Sequence, residues 1–438
     1  MNFSFPKRTL VFLFIISTFF GWSCQTGPFK VFKSASPHEL YERKLISSGL
    51  GNTAIGKSWI EFSDEVLEDP LAIEIPYLEK GYFPPEKVQA AAFSFKMERG
   101  QKLSIKLMRN PQIGFMVYTD IWEREESGTL DFIGSSDTLG TDFQSEINRT
   151  GTYILRLQPE LLAGGNYTLE ITSGPSLDYP LKSYQNNQIR SFWGDGRDVG
   201  ARKHEGVDIF SPFRTPVLAI LPGTTRVNES KLGGKVVWLR PEGKDYSVYY
   251  AHLDEQTVSD GQFVQIGDTI GRMGNTGNAI TTPPHLHFGI YTRGGAVDPL
   301  PFINPRMKDV PEITSKMSLI NDTLRTVGSG SFTDSKKGKS VSLKQGTIVQ
   351  VKAASGPGYR VELPDGTRGF LTSSKLAEIS ERLRSVKIDP SQTHIYAKPD
   401  TSAAVKVTLK PEETVDVIGS FGDFDLINIG KVRGWIKR

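Results

Sequence analysis

The sequence has little cysteine, little histidine and almost no net charge, and each scarcity narrows what the protein can be. Its 438 residues include one cysteine, Cys24, so an intrachain disulfide and a cysteine-built metal site are excluded. The 52 Lys and Arg residues nearly balance the 49 Asp and Glu residues, for a formal net charge of +3. No strongly basic face is expected, so we predict no nucleic-acid partner. At ~150 residues per domain, the length predicts about three domains, or more if they are small.

The first residues have the pattern of an export signal. Lys7 and Arg8 precede an apolar run over residues 9–22, which is too short to span ~30 Å of hydrocarbon as a mature helix. With Cys24 next, the segment resembles a bacterial lipoprotein leader, in which the cysteine is lipidated and becomes the first mature residue. This resemblance implies a signal peptide over residues 1–23, a lipid anchor to a membrane at Cys24, and export to the cell envelope, at its periplasmic face. An ordinary secretory leader with Cys24 incidental is the alternative.

Residues 24–60 are predicted to contain an anchor segment and a short helix. Ser36 fits the N-cap, Pro37 the first helical position, and Glu39 the third position of a capping box. We expect this helix to pack on the following domain. His38, within it, is expected to lie on the surface.

Residues 61–178 alternate apolar and polar side chains, the period-two pattern of half-buried strands. Phe93, Phe95 and Met97 show it most clearly. The pattern predicts an all-β sandwich, and the stretch resembles the small jelly-roll domains appended to secreted bacterial peptidases. It contains no histidine, so we expect a scaffold or substrate-positioning module.

Two short β-rich units, residues 320–380 and 385–438, repeat the same order of apolar segments and Gly-containing turns. They resemble bacterial SH3-like domains, small barrels that often accompany cell-wall enzymes. Wall-peptide binding and a passive scaffold role both stay open, because the pattern specifies fold better than function. His394, in the second unit, is expected to be structural. The predicted fold class is therefore all-β and multidomain: a jelly-roll-like sandwich, a central domain described next, and two SH3-like barrels.

Histidine is scarce in the chain but concentrated in one stretch. Four of the six histidines lie within residues 204–287, less than a fifth of the chain. They form three motifs: His204 four residues before Asp208, an isolated His252, and His285 two residues before His287. Such a concentration of metal-ligating side chains indicates a candidate site.

The spacing constrains how these side chains can meet. In a straight strand, His204 and Asp208 would lie ~13 Å apart, so the chain must bend between them, and Gly206 permits the bend. On a strand, His285 and His287 point to the same face, ~6.7 Å apart along the axis.

Two histidines and one carboxylate can supply three ligands and leave a fourth position open, which is the catalytic pattern for zinc. The ligand types alone leave other divalent ions possible. The other two histidines would then be free to accept and donate protons.

In this order, the motifs resemble the LytM/lysostaphin-type zinc metallopeptidases, enzymes that cut peptide bonds in bacterial peptidoglycan. The resemblance covers roughly residues 190–303, and we place the domain at residues 181–305. It implies a compact, mostly antiparallel β fold with the site in a groove, and peptidoglycan stem peptides as substrate. The oligomeric state stays open. The roles that the resemblance implies are one Zn²⁺ ion bound by His204, Asp208 and His287, His285 as general base, and His252 holding the water or stabilising the oxyanion.

Four neighbouring residues are left outside the predicted site. Arg197 and Arg202 could pair with substrate carboxylates, but we expect surface arginines. Tyr249 and Tyr250 are expected to be strand residues, with Tyr250 a candidate for the groove wall.

Three other functions stay open: a non-enzymatic activator built on the same fold, a wall-binding adaptor that works through the SH3-like pair, and a peptidase for non-wall proteins. The presence of every predicted ligand favours the enzyme over the activator.

Overall fold

Strands dominate the chain, as the sequence predicts. The computed structural model describes residues 35–136, 142–197, 202–334, 340–389 and 394–438. It is 49% strand and 11% helix, so the prediction of a mostly β protein is confirmed. The predicted leader and Cys24 lie outside the described residues, so the lipid anchor stays a prediction. Among the described helices, none is both long and apolar enough to cross a membrane.

Helix α1 (Pro37–Ser47) begins where the sequence predicts. The Ser36 hydroxyl accepts the backbone N–H of Glu39 at 3.2 Å, and the Glu39 carboxylate accepts the backbone N–H of Ser36 at 3.3 Å. This pair is the predicted capping box, and it satisfies two donors that the helix leaves unpaired. The N-terminal helix prediction is therefore confirmed.

Helix α2 (Ala54–Glu68) is absent from the prediction and crosses residue 61, where the sandwich was expected to begin. Trp59, Phe62 and Val66 follow the i, i+3, i+7 spacing of a helix face. Trp59 and Val66 are buried. Gly56 and the β-branched residues of the segment have poor helix propensity, which weakens the helical signal in the sequence.

His38 lies in the interior, so the expectation of a surface position is wrong. It is 1% exposed, its ring stacks on that of Trp59 with centroids 4.6 Å apart, and its Nε2 lies 2.6 Å from Oε1 of Gln158. Burial, together with the positive charge of Arg156, lowers the pKa of His38 to about 3. The side chain is therefore neutral and serves to dock α1.

A two-sheet core follows the helices. Its strands are β1 (Leu71–Ala72), β2 (Tyr77–Phe83), β3 (Ala91–Met97), β4 (Gln101–Asn110), β5 (Val117–Arg124), β6 (Leu130–Ser135), β7 (Phe143–Glu146), β8 (Gly151–Pro159) and β9 (Gly165–Pro175). One sheet has the order β1-β3-β8-β5-β6, and the other contains the path β2-β9-β4-β7. Phe93, Phe95 and Met97 all face the shared core, which confirms the period-two strands. The jelly-roll arrangement stays a prediction.

The central region forms a ten-stranded sheet and a small hairpin. Its strands are β10 (Ile189–Ser191), β11 (Gly196–Arg197), β12 (Arg202–Lys203), β13 (Val207–Phe210), β14 (Pro216–Leu218), β15 (Gly223–Ser230), β16 (Gly234–Pro241), β17 (Tyr246–Gln256), β18 (Phe263–Val264), β19 (Thr269–Met273), β20 (His285–Thr292) and β21 (Gly295–Val297). The main path is β10-β13-β20-β17-β16-β15-β18, and β11 pairs only with β12. Strands β13, β20 and β17 pair antiparallel at the centre, which places their side chains side by side.

The short helix α3 (Leu300–Ile303) ends the central region and joins it to the two-sheet core. Phe302 is buried, and its backbone oxygen accepts the N–H of Leu177 at 2.9 Å. Its ring lies over Gly100, which has a φ of +91°. A Cβ at that position would come within 2.1 Å of the ring, so only glycine fits the contact.

The remaining strands form two units. The first contains β22 (Thr323–Thr326), β23 (Gly330–Asp334), β24 (Ser340–Leu343), β25 (Ile348–Ser355), β26 (Gly358–Glu362), β27 (Arg368–Thr372) and β28 (Leu376–Glu378). The second is a six-stranded sheet that contains β29 (Arg384–Lys387), β30 (His394–Tyr396), β31 (Val405–Thr408), β32 (Thr414–Phe421), β33 (Phe424–Ile429) and β34 (Val432–Lys437). Their likeness to SH3 domains stays a prediction.

The first of these units continues a sheet of the two-sheet core, because β25 pairs with β2 in an eleven-stranded sheet. A buried ion pair crosses the junction: the Arg360 guanidinium lies 3.1 and 3.3 Å from the Glu79 carboxylate oxygens. Tyr77 and Tyr167 donate their hydroxyls to the same carboxylate at 2.7 and 2.6 Å. These bonds satisfy the buried charges, and a carboxylate left without them would be strongly destabilising.

We expect acid to destabilise the fold through His38. Its pKa is about 3 in the folded protein and ~6.5 in an unfolded chain. Between those values the unfolded chain binds a proton that the folded chain excludes, so the free energy of unfolding falls as pH drops, by up to about 1.4 kcal/mol per pH unit. Above pH 6.5 the contribution disappears.

Urea unfolding at pH 7 and pH 5 measures this effect. The variant His38→Gln keeps a polar partner for Gln158 but does not titrate, so it should lose about 2 kcal/mol less stability than the wild type between the two pH values. Equal losses in both proteins would contradict the prediction.

Candidate metal centre

The strand register brings the predicted residues together. Asp208 on β13 is the direct cross-strand partner of His287 on β20, and Ala251 on β17 is its partner on the other side. His285 and His287 share one face of β20, as predicted, while Leu286 between them is fully buried on the other face. The site therefore lies on the open face of a sheet whose other face is core.

His204 reaches Asp208 because the chain bends at Gly206, as the spacing predicts. His204 Nε2 lies 3.0 Å from Asp208 Oδ1. A Cβ on Gly206 would lie 2.6 Å from the backbone oxygen of Phe288 and 2.8 Å from the ring of His287. The bend thus needs glycine because no side chain fits between the two strands.

Three ligand atoms form a small triangle. His204 Nε2 lies 2.9 Å from His287 Nδ1, and Asp208 Oδ1 lies 3.0 Å from the first and 3.1 Å from the second. Among the described residues, these three form the group that could hold a metal ion. Their assignment as metal ligands stays a prediction.

Backbone carbonyls set the tautomers of three histidines. Nδ1 of His204, His252 and His285 lies 2.9, 2.8 and 2.9 Å from the carbonyl oxygens of residues 192, 276 and 283, respectively. A carbonyl oxygen can only accept, so Nδ1 carries the proton and Nε2 of each neutral ring keeps its lone pair. This is the orientation that metal-binding and proton-accepting histidines use.

The donor set fits a divalent cation. In the neutral tautomer, the lone pair on His204 Nε2 faces the carboxylate oxygen of Asp208 at 3.0 Å, and two acceptors this close repel unless a proton or a metal lies between them. Tetrahedral zinc at the usual bond lengths of ~2.0–2.1 Å places its ligand atoms roughly 3.3 Å apart. The observed edges of 2.9–3.1 Å are close to that value.

The charge states also suit metal binding. Burial alone would raise the pKa of Asp208, but the adjacent His204 and His287 lower it well below its ordinary value. Burial lowers the pKa of His287, and it lowers the pKa of His252 to about 4. At neutral pH the Asp208 carboxylate is therefore ionised and the His287 and His252 imidazoles are neutral, and an ionised carboxylate and a neutral imidazole are the forms that ligate metals.

His252 and His285 lie beside the triangle. Their ring centroids are 5.0 Å apart, and that of His252 lies 5.9 Å from that of His287. His252 has a φ of +63°, a left-handed conformation that costs about 1–2 kcal/mol for a residue with a side chain. Its N–H bonds to the backbone oxygen of Gly233 at 2.8 Å, which holds the strained residue in place.

Arg197 contacts the site directly while its side chain stays 35% exposed, so its exclusion from the predicted site is wrong. Its Nη2 lies 2.6 Å from Asp208 Oδ2 and donates to the Ser191 hydroxyl at 2.7 Å. The two oxygens of Asp208 thus have different neighbours, with the imidazoles at Oδ1 and the guanidinium at Oδ2. Sequence reasoning also missed Ser191, since only pairing of β10 with β13 brings it near.

A cavity of about 610 Å³ opens over these residues. Its wall includes all five predicted site residues, together with Arg202 and Tyr249. Tyr250 is fully buried in the core on the opposite face, so its candidacy for the groove wall is wrong, and its neighbour Tyr249 has that position instead.

A half-enclosed group of two imidazoles and one carboxylate, with two more imidazoles beside it, is typical of single-metal hydrolases. Residues 202–299 match the sequence profile of Peptidase family M23. This part of the chain is therefore an M23 peptidase domain.

Named relatives share this domain. The chain is 34% identical over 138 residues to the L-Ala--D-Glu endopeptidase of Bacillus subtilis, covering 28% of this chain and 42% of that protein. It is 30% identical to the peptidoglycan DD-endopeptidase ShyC of Vibrio cholerae, covering 28% of this chain and 26% of that protein. The chain thus spans less than half the length of either relative. The catalytic domain of lysostaphin from Staphylococcus simulans is 33% identical, with a TM-score of 0.24, over 27% of this chain and 91% of that one.

Replacing Gly206 should disturb the site. In Gly206→Ala, the new methyl group would press on the β20 backbone and on His287, so we expect metal affinity to fall at least about tenfold. Metal content after dialysis measures this. Gly294→Ala is the matched control, because a Cβ there has only the Thr292 hydroxyl within contact distance, at 3.6 Å. An unchanged metal content in Gly206→Ala would refute the steric argument.

Removing Arg197 should weaken metal binding without removing a ligand. Arg197→Ala leaves Asp208 Oδ2 without its cationic partner, and loss of such a supporting contact typically costs 10–100-fold in metal affinity. Arg197→Lys should recover part of the loss through its charge. Competition with a chelating dye measures the affinities, and Arg240→Ala, an exposed arginine on β16, should match the wild type. Wild-type affinity in Arg197→Ala would contradict the prediction.

Proposed function

We propose that this chain is a zinc-dependent endopeptidase that hydrolyses the peptide cross-links of bacterial peptidoglycan in the cell envelope. The observation that carries the proposal is the convergence of His204 Nε2, Asp208 Oδ1 and His287 Nδ1 within 3.1 Å of one another, beside two further histidines. Peptidase family M23 and the endopeptidase names of the relatives support the reaction class.

One zinc ion would be held by His204, Asp208 and His287. When bound, it would supply Lewis-acid chemistry, which polarises the scissile carbonyl and acidifies the attacking water. Arg197 keeps Asp208 Oδ2 engaged, so Oδ1 alone faces the ligand site.

His285 is the proposed general base. Its Nδ1 proton is held by the backbone oxygen of Pro283, so Nε2 can accept a proton from water as its oxygen forms the new C–O bond. The same imidazole then returns that proton to the amine nitrogen as the C–N bond breaks. His252, with Nε2 likewise free, would hold the water or stabilise the developing oxyanion.

The proposal also assigns the export signal, the lipid anchor and the other domains of the chain. We infer that residues 1–23 are a signal peptide, that Cys24 carries a lipid, and that the protein lies at the periplasmic face of a membrane. We further assign residues 61–178 to a jelly-roll-like domain and residues 320–380 and 385–438 to SH3-like domains. Intact-mass analysis of membrane fractions tests the anchor, since an unmodified Cys24 there would overturn it.

Two variants separate metal binding from proton transfer. Asp208→Ala removes a ligand and should lose both zinc and activity. His285→Ala should keep zinc but lose about 10²–10⁴-fold in turnover, the usual contribution of general acid–base catalysis. Zinc content by mass spectrometry and peptide release from purified sacculi, with and without chelator, measure the two effects.

His394→Ala is the matched control for these variants, because this histidine is exposed and lies on β30, in the second C-terminal unit. It should keep wild-type zinc content and activity. Full digestion of sacculi by His285→Ala would show that the proton-transfer roles are wrong. Absence of peptide release by the zinc-loaded wild type would overturn the proposed substrate.

A further inference from the structure

A second cavity, of about 780 Å³, lies away from the metal centre. Three parts of the chain form its wall: α2 with the segment before β3, the first C-terminal unit, and the second C-terminal unit. Its volume falls within the ~300–1,000 Å³ of small-ligand sites. Nothing in the proposed hydrolysis uses it.

The wall carries a net positive charge in a chain that is nearly neutral overall. Its basic residues outnumber its two acidic ones, Glu362 and Asp365. Lys352 lies 3.2 Å from Glu362 and is mostly buried. The exposed cations of the rim are Lys87, Lys398, Lys406 and Arg433. Within the described part of the chain, none of these four forms a salt bridge within 4 Å of a carboxylate. The Asp400 carboxylate acts on Lys398 from farther away, and Lys406 Nζ donates to the backbone oxygen of Arg433 at 2.9 Å, which leaves the charges of Lys87, Lys406 and Arg433 available to an anionic ligand.

The inner wall combines apolar surface with an amide. Trp435, Leu426 and Ile348 belong to one buried cluster and also line the cavity. Gln89, 8% exposed, faces the Lys352 ammonium with Oε1 at 3.4 Å. Since an ammonium group only donates, this orientation of the amide is set, and Gln89 Nε2 has no hydrogen-bond partner among the described residues. Buried donors are rarely left unpaired in native proteins.

The walls are held in place without a ligand. The same buried cluster joins the two C-terminal units. Arg325 donates to the backbone oxygen of Ile418 at 3.0 Å, and the Ser420 N–H donates to the backbone oxygen of Gly346 at 2.8 Å. A preformed cavity avoids the ordering cost of binding.

We propose that this cavity binds a short acidic peptide, whose carboxylates contact the rim cations and whose apolar groups pack against Trp435. The limited volume fits a short ligand, and Glu362 and Asp365 disfavour a polyanion. Lys87 and Gln89 also line the cavity, and they lie before β3 in the N-terminal part of the chain. The site is therefore not contained in the two C-terminal units. The proposal goes beyond the hydrolytic site and needs no metal.

The test uses the full chain with chelator present, so that no peptide is cleaved. Isothermal titration calorimetry compares a short acidic peptide with the same peptide after amidation of its carboxyl groups. The acidic form should bind, and amidation should weaken binding at least about tenfold. In the double variant Lys398→Glu with Arg433→Glu, the acidic peptide should bind at least about tenfold more weakly than in the wild type.

The matched control is Lys410→Glu with Lys431→Glu, which makes the same charge change at two exposed lysines outside the cavity and should bind like the wild type. Equal binding of the amidated peptide, equal weakening in the control, or displacement of the peptide by equimolar inorganic phosphate would each overturn the proposal. Zinc-dependent peptide hydrolysis by the same variants is measured separately. It should be unchanged in the cavity variant, and its absence from the wild type would refute the proposed function while leaving the binding result intact.

Discussion

The register of β20 between β13 and β17 is the constraint on which the candidate site depends. It sets His287 beside Asp208 and beside Ala251, and it sends Leu286 and Phe288 into the core, where both are fully buried. A slip of one residue would exchange the two faces of the strand, burying imidazoles and exposing large apolar side chains. Core packing and site geometry therefore select the same register, and the hydrophobic effect supplies the free energy that holds the ligand atoms in place.

The loops around the sheet provide free backbone carbonyl oxygens, which the strands do not. Inside a sheet, carbonyls are paired with neighbouring strands, whereas residues 192, 276 and 283 lie outside the strands and can accept from imidazole Nδ1 atoms. Each such bond selects one tautomer and one ring orientation. The left-handed backbone at His252 is strain held by the surrounding structure, as is common at functional sites. The sheet thus places the side chains, and the loops around it choose which nitrogen of each ring faces the cavity.

The sequence-based prediction succeeded for features that depend on residues close together in the chain. The capping box at Ser36, the bend at Gly206 and the shared face of His285 and His287 each follow from nearest neighbours or from a period of two. It failed where distant segments meet. His38 is buried because Gln158, far along the chain, offers a partner. Arg197 gives no local sign of its contact with Asp208, since that contact depends on how the β11–β12 hairpin folds back on the sheet. The metal and its ligand roles stay predictions.

The two junctions between regions use different contacts. The central region is attached through Phe302 lying over Gly100, an apolar contact that depends on shape, and through the ion pair of Lys244 with Glu146 near the surface. The first C-terminal unit is attached through strand pairing and the buried pair of Glu79 and Arg360, which is directional. Replacing a buried ion pair by apolar residues is often neutral for stability, so we expect its value here to be specificity: Arg360 lies on β26, and it reaches Glu79 on β2 across the intervening strand β25. The strand β25 also carries Lys352, which contacts Gln89 at 3.4 Å, and both residues line the second cavity.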